Sequence, residues 1–560
     1  MNQKFFFYYF ISILIIILLY ILLPIFYGIG GVLLSSLGYF PNVTKEINLN
    51  FFRAIFDIPG INKSIFLTLF VGLISTFVSL LISQIILLKV YNTWFYRHLL
   101  TIITPLIAFP HVIMAVGISY LFASSGFIFR IYHSYFLEYD RPQNSNLFPD
   151  DYGLFLILGL VLKETPFFLL MSINILSQFP SKKYFDLSRT FNNTPMTAWF
   201  FFIFPFIYKK LKVSVIIVII YSASVVDMAY ILAPSTPSTI SIRILDLFQT
   251  PDVNNLAIAS CLSLFQFLLI LVLISIWVLV ENFCKQTFLL NFYLKIFPKK
   301  SKILENILFI ISTNLFLISL LCIFLSCMWS LTETWNFPNL MPTKLSTDNY
   351  TNFIDNFSIS IWNTVLIGLT VSLLSCFIIL TWLEITDLIN FKIKYLEFIF
   401  FIPIFIPELS FLLGINFLLI QNNLNGNIWS LIWIETLYVI PYAYLILMPA
   451  YRGINKNYIH NAKMLQKSNI KIFFSIKVLL ILRTIFLVLG IGALVSIALY
   501  TPVYFIGDNQ ISTLSIEIIN FSFSANRKNI GISSVLQMIL PLIILFTVFY
   551  SGKVFVKWKY

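Results

Sequence analysis

The sequence predicts an all-α polytopic membrane protein of about twelve transmembrane helices, arranged as two parallel six-helix modules. Three observations lead there. The 560-residue chain is 59% hydrophobic and only 11% charged, whereas a soluble globular domain carries about 25% charged residues. It reads as twelve apolar runs, centred near Ile15, Thr76, Ala108, Leu162, Ile220, Leu268, Phe316, Ser372, Pro407, Glu435, Gly490 and Leu540. A helical crossing takes roughly 20 such residues, because lipid offers no partner to a free backbone N–H or C=O. Finally, short patterns from the first half recur in the second at fixed offsets.

The first run, from Phe5 to Tyr27, has an apolar core longer than a signal peptide's and no evident small-residue cleavage site, so it reads as an anchoring helix. The net charge of +13 is not distributed as a nucleic-acid partner would require. It collects on alternate connecting segments: Lys182, Lys183, Arg189, Lys209, Lys210 and Lys212, then Lys295, Lys299, Lys300 and Lys302. Arg452, Lys456, Lys463, Lys467 and Lys471 follow, and the tail adds Lys553, Lys557 and Lys559. An excess of lysine and arginine marks cytoplasmic segments, so both termini are expected inside. The segment from Arg130 to Asp151, rich in Asp, Pro, Asn and Ser, reads as an outward loop.

The repeat sets the domain organisation. Ser238-Thr239-Ile240-Ser241-Ile242 returns as Ser512-Thr513-Leu514-Ser515-Ile516, an offset of 274. Upstream, Thr68 and Gly72 correspond to Thr364 and Gly368 at an offset of 296, and Pro110 and Gly117 to Pro407 and Gly414 at 297. The outward loop in the first half absorbs the difference of about 22 residues, as insertions fall in loops. Six runs return the chain to the same side, so the halves share orientation and are not inverted repeats. The expected division is a first module over 1–280, a cytoplasmic linker over 281–302 and a second module over 303–560.

Two basic loops, at about 182–212 and 452–479, carry a second spaced pattern. The first reads Asp186-Leu187-Ser188, three residues, Asn192, nine residues, then Phe202-Ile203-Phe204-Pro205. The second reads His460-Asn461-Ala462, three residues, Gln466, nine residues, then Ile476-Lys477-Val478-Leu479. Both resemble the EAA loop of binding-protein-dependent ABC importers, whose pattern is Glu-Ala-Ala, three residues, Gly, nine residues, Ile-x-Leu-Pro. Asn192 and Gln466 stand at the glycine position; asparagine tolerates a left-handed backbone there better than glutamine. With the duplication, the chain resembles a fused two-module permease of that superfamily. Lys163-Glu164-Thr165-Pro166-Phe167 and Ile231-Leu232-Ala233-Pro234-Ser235-Thr236-Pro237-Ser238-Thr239 are most similar to thiamine-type and ferric-iron-type permeases.

The resemblance implies that Asp186, Leu187, Ser188, Asn192 and Pro205 in the first loop, and His460, Asn461, Ala462 and Gln466 in the second, dock a cytoplasmic ABC ATPase dimer. It also implies a periplasmic solute-binding protein, residence in the bacterial inner membrane, and import of a small solute by alternating access. The chain itself has no GxxxxGK[ST] motif, since Gly552-Lys553 lacks the rest of it, so ATP hydrolysis is expected on a separate chain and no enzyme activity or cofactor on this one.

Charges inside apolar runs supply the candidates for a translocation path. Lys163 and Glu164 in the fourth run, Asp227 in the fifth and Glu435 in the tenth each cost about 2.5 to 3.5 kcal/mol at a helix centre, so they should face protein or water. A local ion pair would satisfy the same requirement. Pro110, Pro166, Pro407 and Pro441 interrupt apolar runs and are expected to kink them. Five cysteines and four histidines are scattered without metal-ligand spacing. The competing reading is a secondary transporter driven by an ion gradient, which the intramembrane carboxylates favour and the paired loops oppose. A membrane enzyme is disfavoured, because no cluster has catalytic spacing.

Overall fold

The computed structural model describes residues 3–40, 47–91, 93–136, 148–178, 195–293, 302–389, 396–466, 468–524 and 526–557, with Pro142, Pro180, Lys183 and Asp186. The chain folds as α1 (Gln3–Ser36), α2 (Asn50–Asp57), α3 (Ile61–Val90), α4 (Trp94–Ala108), α5 (His111–Phe122), α6 (Phe127–Phe136) and α7 (Leu154–Ser177). It continues with α8 (Phe204–Ser224), α9 (Asp227–Leu232), α10 (Ile240–Phe248), α11 (Val253–Tyr293), α12 (Lys302–Leu331), α13 (Asp348–Leu388), α14 (Leu409–Gln421) and α15 (Ile428–Arg452). The last helices are α16 (Lys456–Met464), α17 (Leu482–Ala498), α18 (Thr501–Gly507), α19 (Leu514–Phe523) and α20 (Arg527–Lys557). A small hairpin, β1 (Thr332–Thr334) with β2 (Lys344–Leu345), is the one sheet among the described residues.

The protein is all-α and polytopic. Among the described residues nine helices are long and apolar enough to cross a membrane, and eleven spans result when two sharply bent pairs are each joined. The difference from twelve falls on α8, whose first turns carry Lys209, Lys210 and Lys212, so its apolar stretch is shorter than a full crossing. Phe66, Phe77, Trp362 and Phe377 are exposed along the spans, as a lipid-facing surface requires, and the buried side chains converge between helices.

The expected proline kinks divide into two kinds. Pro166 and Pro441 sit within continuous α7 and α15. At Pro110 and Pro407 the helix stops: Phe109 and Ile406 are extended, and α5 and α14 start afresh, the second break turning the chain by 95°. Proline lacks the N–H that would continue the ladder and disfavours helix at the preceding residue.

Local features recur at the offsets read from the sequence. α8 ends at Ser224 and α17 at Ala498, and π-helical turns occupy Trp199–Ile203 and Phe473–Lys477. The Thr68 hydroxyl accepts from the N–H of Ile240 at 3.1 Å, and Thr364 accepts from Leu514 at 3.0 Å. These first-turn amides of α10 and α19 have no partner within their own helices, so a buried threonine on α3 or α13 caps each. Each threonine meanwhile donates to the carbonyl four residues back, at 2.8 Å for Thr68 and 2.6 Å for Thr364.

The first helix of each half packs on the opposite half: α1 on α14, and α12 on α5. Glycine permits both crossings. A Cβ on Gly31 would lie 2.6 Å from the carbonyl oxygen of Gly414, and one on Gly117 would lie 2.8 Å from Cα of Cys322.

Candidate functional site: a buried polar cluster and a short exposed helix

The break between α4 and α5 leaves carbonyls without amide partners, and Lys163 of α7 supplies donors. Its ammonium donates to the carbonyl oxygens of Leu106 at 3.3 Å, Ile107 at 2.8 Å and Phe109. Glu164 follows about 100° around the helix, and meets the other side of the break: its Oε1 lies 3.4 Å from Nε2 of His111, the first residue of α5. The adjacent Lys-Glu pair thus grips both ends of one interruption.

Asp227 joins them from the first turn of α9, accepting from the N–H of Met228 at 2.8 Å and lying within electrostatic reach of His111 and Lys163. The opposite half contributes Glu408, which directly precedes α14 beyond the Pro407 break, accepts from the Thr501 hydroxyl and lies within electrostatic reach of Asp227. Tyr442 of α15 lies near both Glu164 and Glu408. The ring of Tyr221 sits 4.6 Å from that of His111. Tyr442 remains 37% exposed although its neighbours Pro441 and Ala443 are buried, and the His111 side chain is 25% exposed, so the cluster is not fully enclosed by protein.

Three of the four charges proposed from sequence therefore come together. Glu435 stands apart: it accepts from Ser496 and lines a small polar cleft with Thr364, Thr513 and Ser515. His111 and Glu408 were not singled out in the sequence. They follow Pro110 and Pro407, so the 297-residue offset matches them to each other, and a charged or titratable residue after each matched proline was the available signal.

Of the first loop, Leu187, Ser188 and Asn192 lie outside the described residues; Asp186 is helical and exposed, and Pro205 occupies the first turn of α8. The second loop is described almost throughout. Asn455 caps α16, its side chain accepting from the N–H of Asn457 at 3.0 Å. His460 and Asn461 are exposed while Ala462 is buried. Gln466 has φ of +52°, so the glycine position of the pattern is left-handed although its residue is glutamine. Tyr458 and Met464 of α16, with Leu465 and Ile470 just after it, expose 56%, 71%, 73% and 72% of their surface, so exposed apolar side chains cluster around the end of a short helix between two spans. Lys477 anchors the segment to α13, with Nζ 2.7 Å from Glu384, 3.3 Å from Asp387 and 2.9 Å from the Tyr451 hydroxyl.

The chain is 23% identical over 507 residues to the inner membrane ABC transporter permease protein YnjC of Escherichia coli (strain K12), and the alignment covers 90% of each chain. No family model matches it, and no solved structure does. Similarity along nearly the whole length, on an all-α polytopic fold, supports the resemblance to the ABC transporter permease superfamily that the sequence carries.

Proposed function

We propose that the chain is the membrane subunit of an ATP-driven importer, with a first permease module at 1–280, a cytoplasmic linker at 281–302 and a second module at 303–560. The observation that carries this reading is α16, a capped and largely exposed nine-residue helix with exposed Met464 and Leu465 at its end, followed by a left-handed residue where the importer pattern has glycine. Such a helix is suited to sit in a groove of a soluble partner. The partners are a cytoplasmic ABC ATPase dimer, met by α16 and by the loop containing Asp186, and a periplasmic solute-binding protein. Both termini and both docking loops are cytoplasmic in this reading.

ATP binding draws the two docking segments together and tilts the modules about the glycine crossings of α1 on α14 and α12 on α5, exposing a central path to alternate sides. The buried cluster of His111, Glu164, Asp227 and Glu408 lies where that path would narrow. Thiamine and ferric iron are the first solutes to try. Uptake into sealed vesicles containing the chain with its ATPase and binding protein tests the reading: accumulation should require internal ATP. Accumulation driven by an ion gradient without ATP would instead favour a secondary transporter.

A further inference from the structure

We propose that the cluster between the halves is a subsite for an organic cation, a quaternary or protonated nitrogen, and this inference rests on the permease reading above. Three carboxylates from separate helices lie within electrostatic reach of Tyr221: Glu164 on α7, Asp227 on α9 and Glu408 just before α14. Against them stand His111 and Lys163, and the Lys163 ammonium is already engaged by three backbone carbonyls. Like charges gathered in a low-dielectric interior repel one another, and a proton or a counter-charge relieves the repulsion. A cationic guest supplies that counter-charge.

A second observation comes from a neutral group. The Tyr438 side chain is only 7% exposed, lies within electrostatic reach of Glu408, and its hydroxyl has no hydrogen-bond partner among the described residues. A buried hydroxyl without a partner is costly, and one beside a carboxylate is placed to bond a guest held by that carboxylate. The aromatic rings favour an organic guest over a bare metal ion. The Tyr221 ring lies tilted 4.6 Å from that of His111, Tyr442 lies within electrostatic reach of Glu164 and Glu408, and Tyr500 within reach of Asp227. Ring faces attract ammonium groups. No three His, Cys, Asp or Glu side chains among the described residues converge as a metal site would need.

The test titrates the full-length chain in lipid nanodiscs with choline and with 3,3-dimethyl-1-butanol, which carries carbon in place of the charged nitrogen. Choline is expected to bind saturably and the neutral analogue not to bind. Glu408→Gln and Asp227→Asn should each weaken choline about tenfold or more, and Tyr438→Phe, which changes no charge, about threefold. Glu333→Gln, on the exposed hairpin, should leave binding unchanged. Each variant is first checked for monodisperse elution, and Tyr438→Phe decides the matter if a charge variant fails to fold. Equal binding of the two probes, no saturable choline binding, or variants that bind as the parent does would overturn the proposal. Choline binding by a chain that recruits no ATPase would keep the subsite and sink the importer reading; ATPase recruitment without choline binding would do the reverse.

Discussion

The Nζ of Lys163 lies 2.8 Å from the carbonyl oxygen of Ile107, and this bond joins the middle of α7 to the last turn of the helix that Pro110 interrupts. With the bonds to Leu106 and Phe109, it gives a buried charge in a spanning helix a backbone partner. Lys163→Ala should therefore act on folding before it acts on transport. Removing a charged donor from buried carbonyls costs about 3 kcal/mol, and the purified variant should unfold at lower temperature or fail to accumulate. Glu164→Gln keeps the polar contact to His111 and should accumulate normally. Equal losses from both variants would contradict this separation of roles.

The glycine crossings should be intolerant in a graded way. Gly30 of α1 has open space around its Cβ direction, whereas Gly31, one residue on, faces the backbone of Gly414. Gly30→Ala should leave thermal stability unchanged or raised by up to about 1 kcal/mol, the helix preference of alanine. Gly31→Leu should lower it by about 1 to 3 kcal/mol, the usual cost of overpacking. Thermal unfolding of the two variants in detergent compares them directly.

Two arginines tie the halves together. Arg130 donates to the carbonyls of Asn336 at 2.9 Å and Asn339 at 2.7 Å and lies 4.9 Å above the Trp335 ring. Arg527 reaches back to Ser125 at 2.5 Å and lies 5.1 Å above Trp329. Arg130→Lys retains the charge but not the planar fork, and should weaken this clasp by about 1 to 2 kcal/mol. A disulfide engineered between the halves near Ser125 and Arg527 should form more slowly in that variant; an unchanged rate would show that the clasp does not hold the halves.

Gln466 makes the backbone of the second loop testable. Its φ of +52° is uncommon for a side-chain-bearing residue. Gln466→Gly should be tolerated and preserve partner binding, while Gln466→Val, branched at Cβ, should disorder the end of α16 and weaken ATPase binding about tenfold. Pull-down of the ATPase against each variant provides the comparison, and equal binding would mean that the left-handed turn does not shape the docking surface.

Much of this architecture was legible because it is written in long apolar runs and in repeated spacing. The matched pairs Thr68 with Thr364 and Pro110 with Pro407 occupy corresponding places in three dimensions, the first as caps of α10 and α19, the second as helix breaks. Composition could not distinguish the prolines that break a helix from Pro166 and Pro441, which sit within one, because neighbouring helices decide whether freed carbonyls find donors. Lys163, Glu164 and Asp227 stood out as charges in apolar surroundings, but their meeting with Glu408 depends on how the two halves face each other. Glu435 looked equivalent by the same criterion and turned to a different cleft. The left-handed backbone at Gln466 was hidden by its residue type, which rarely adopts it.

The most direct test of the docking surface is crosslinking from single cysteines at Met464 and Leu465, exposed apolar residues at the end of α16, to the ATPase in native membranes. A crosslink that forms with the ATPase, and whose yield changes when a non-hydrolysable ATP analogue is added, is the expected result. Cysteines at these positions that label freely from the periplasmic side, or that never contact an ATPase while ATP-dependent uptake continues, would contradict it.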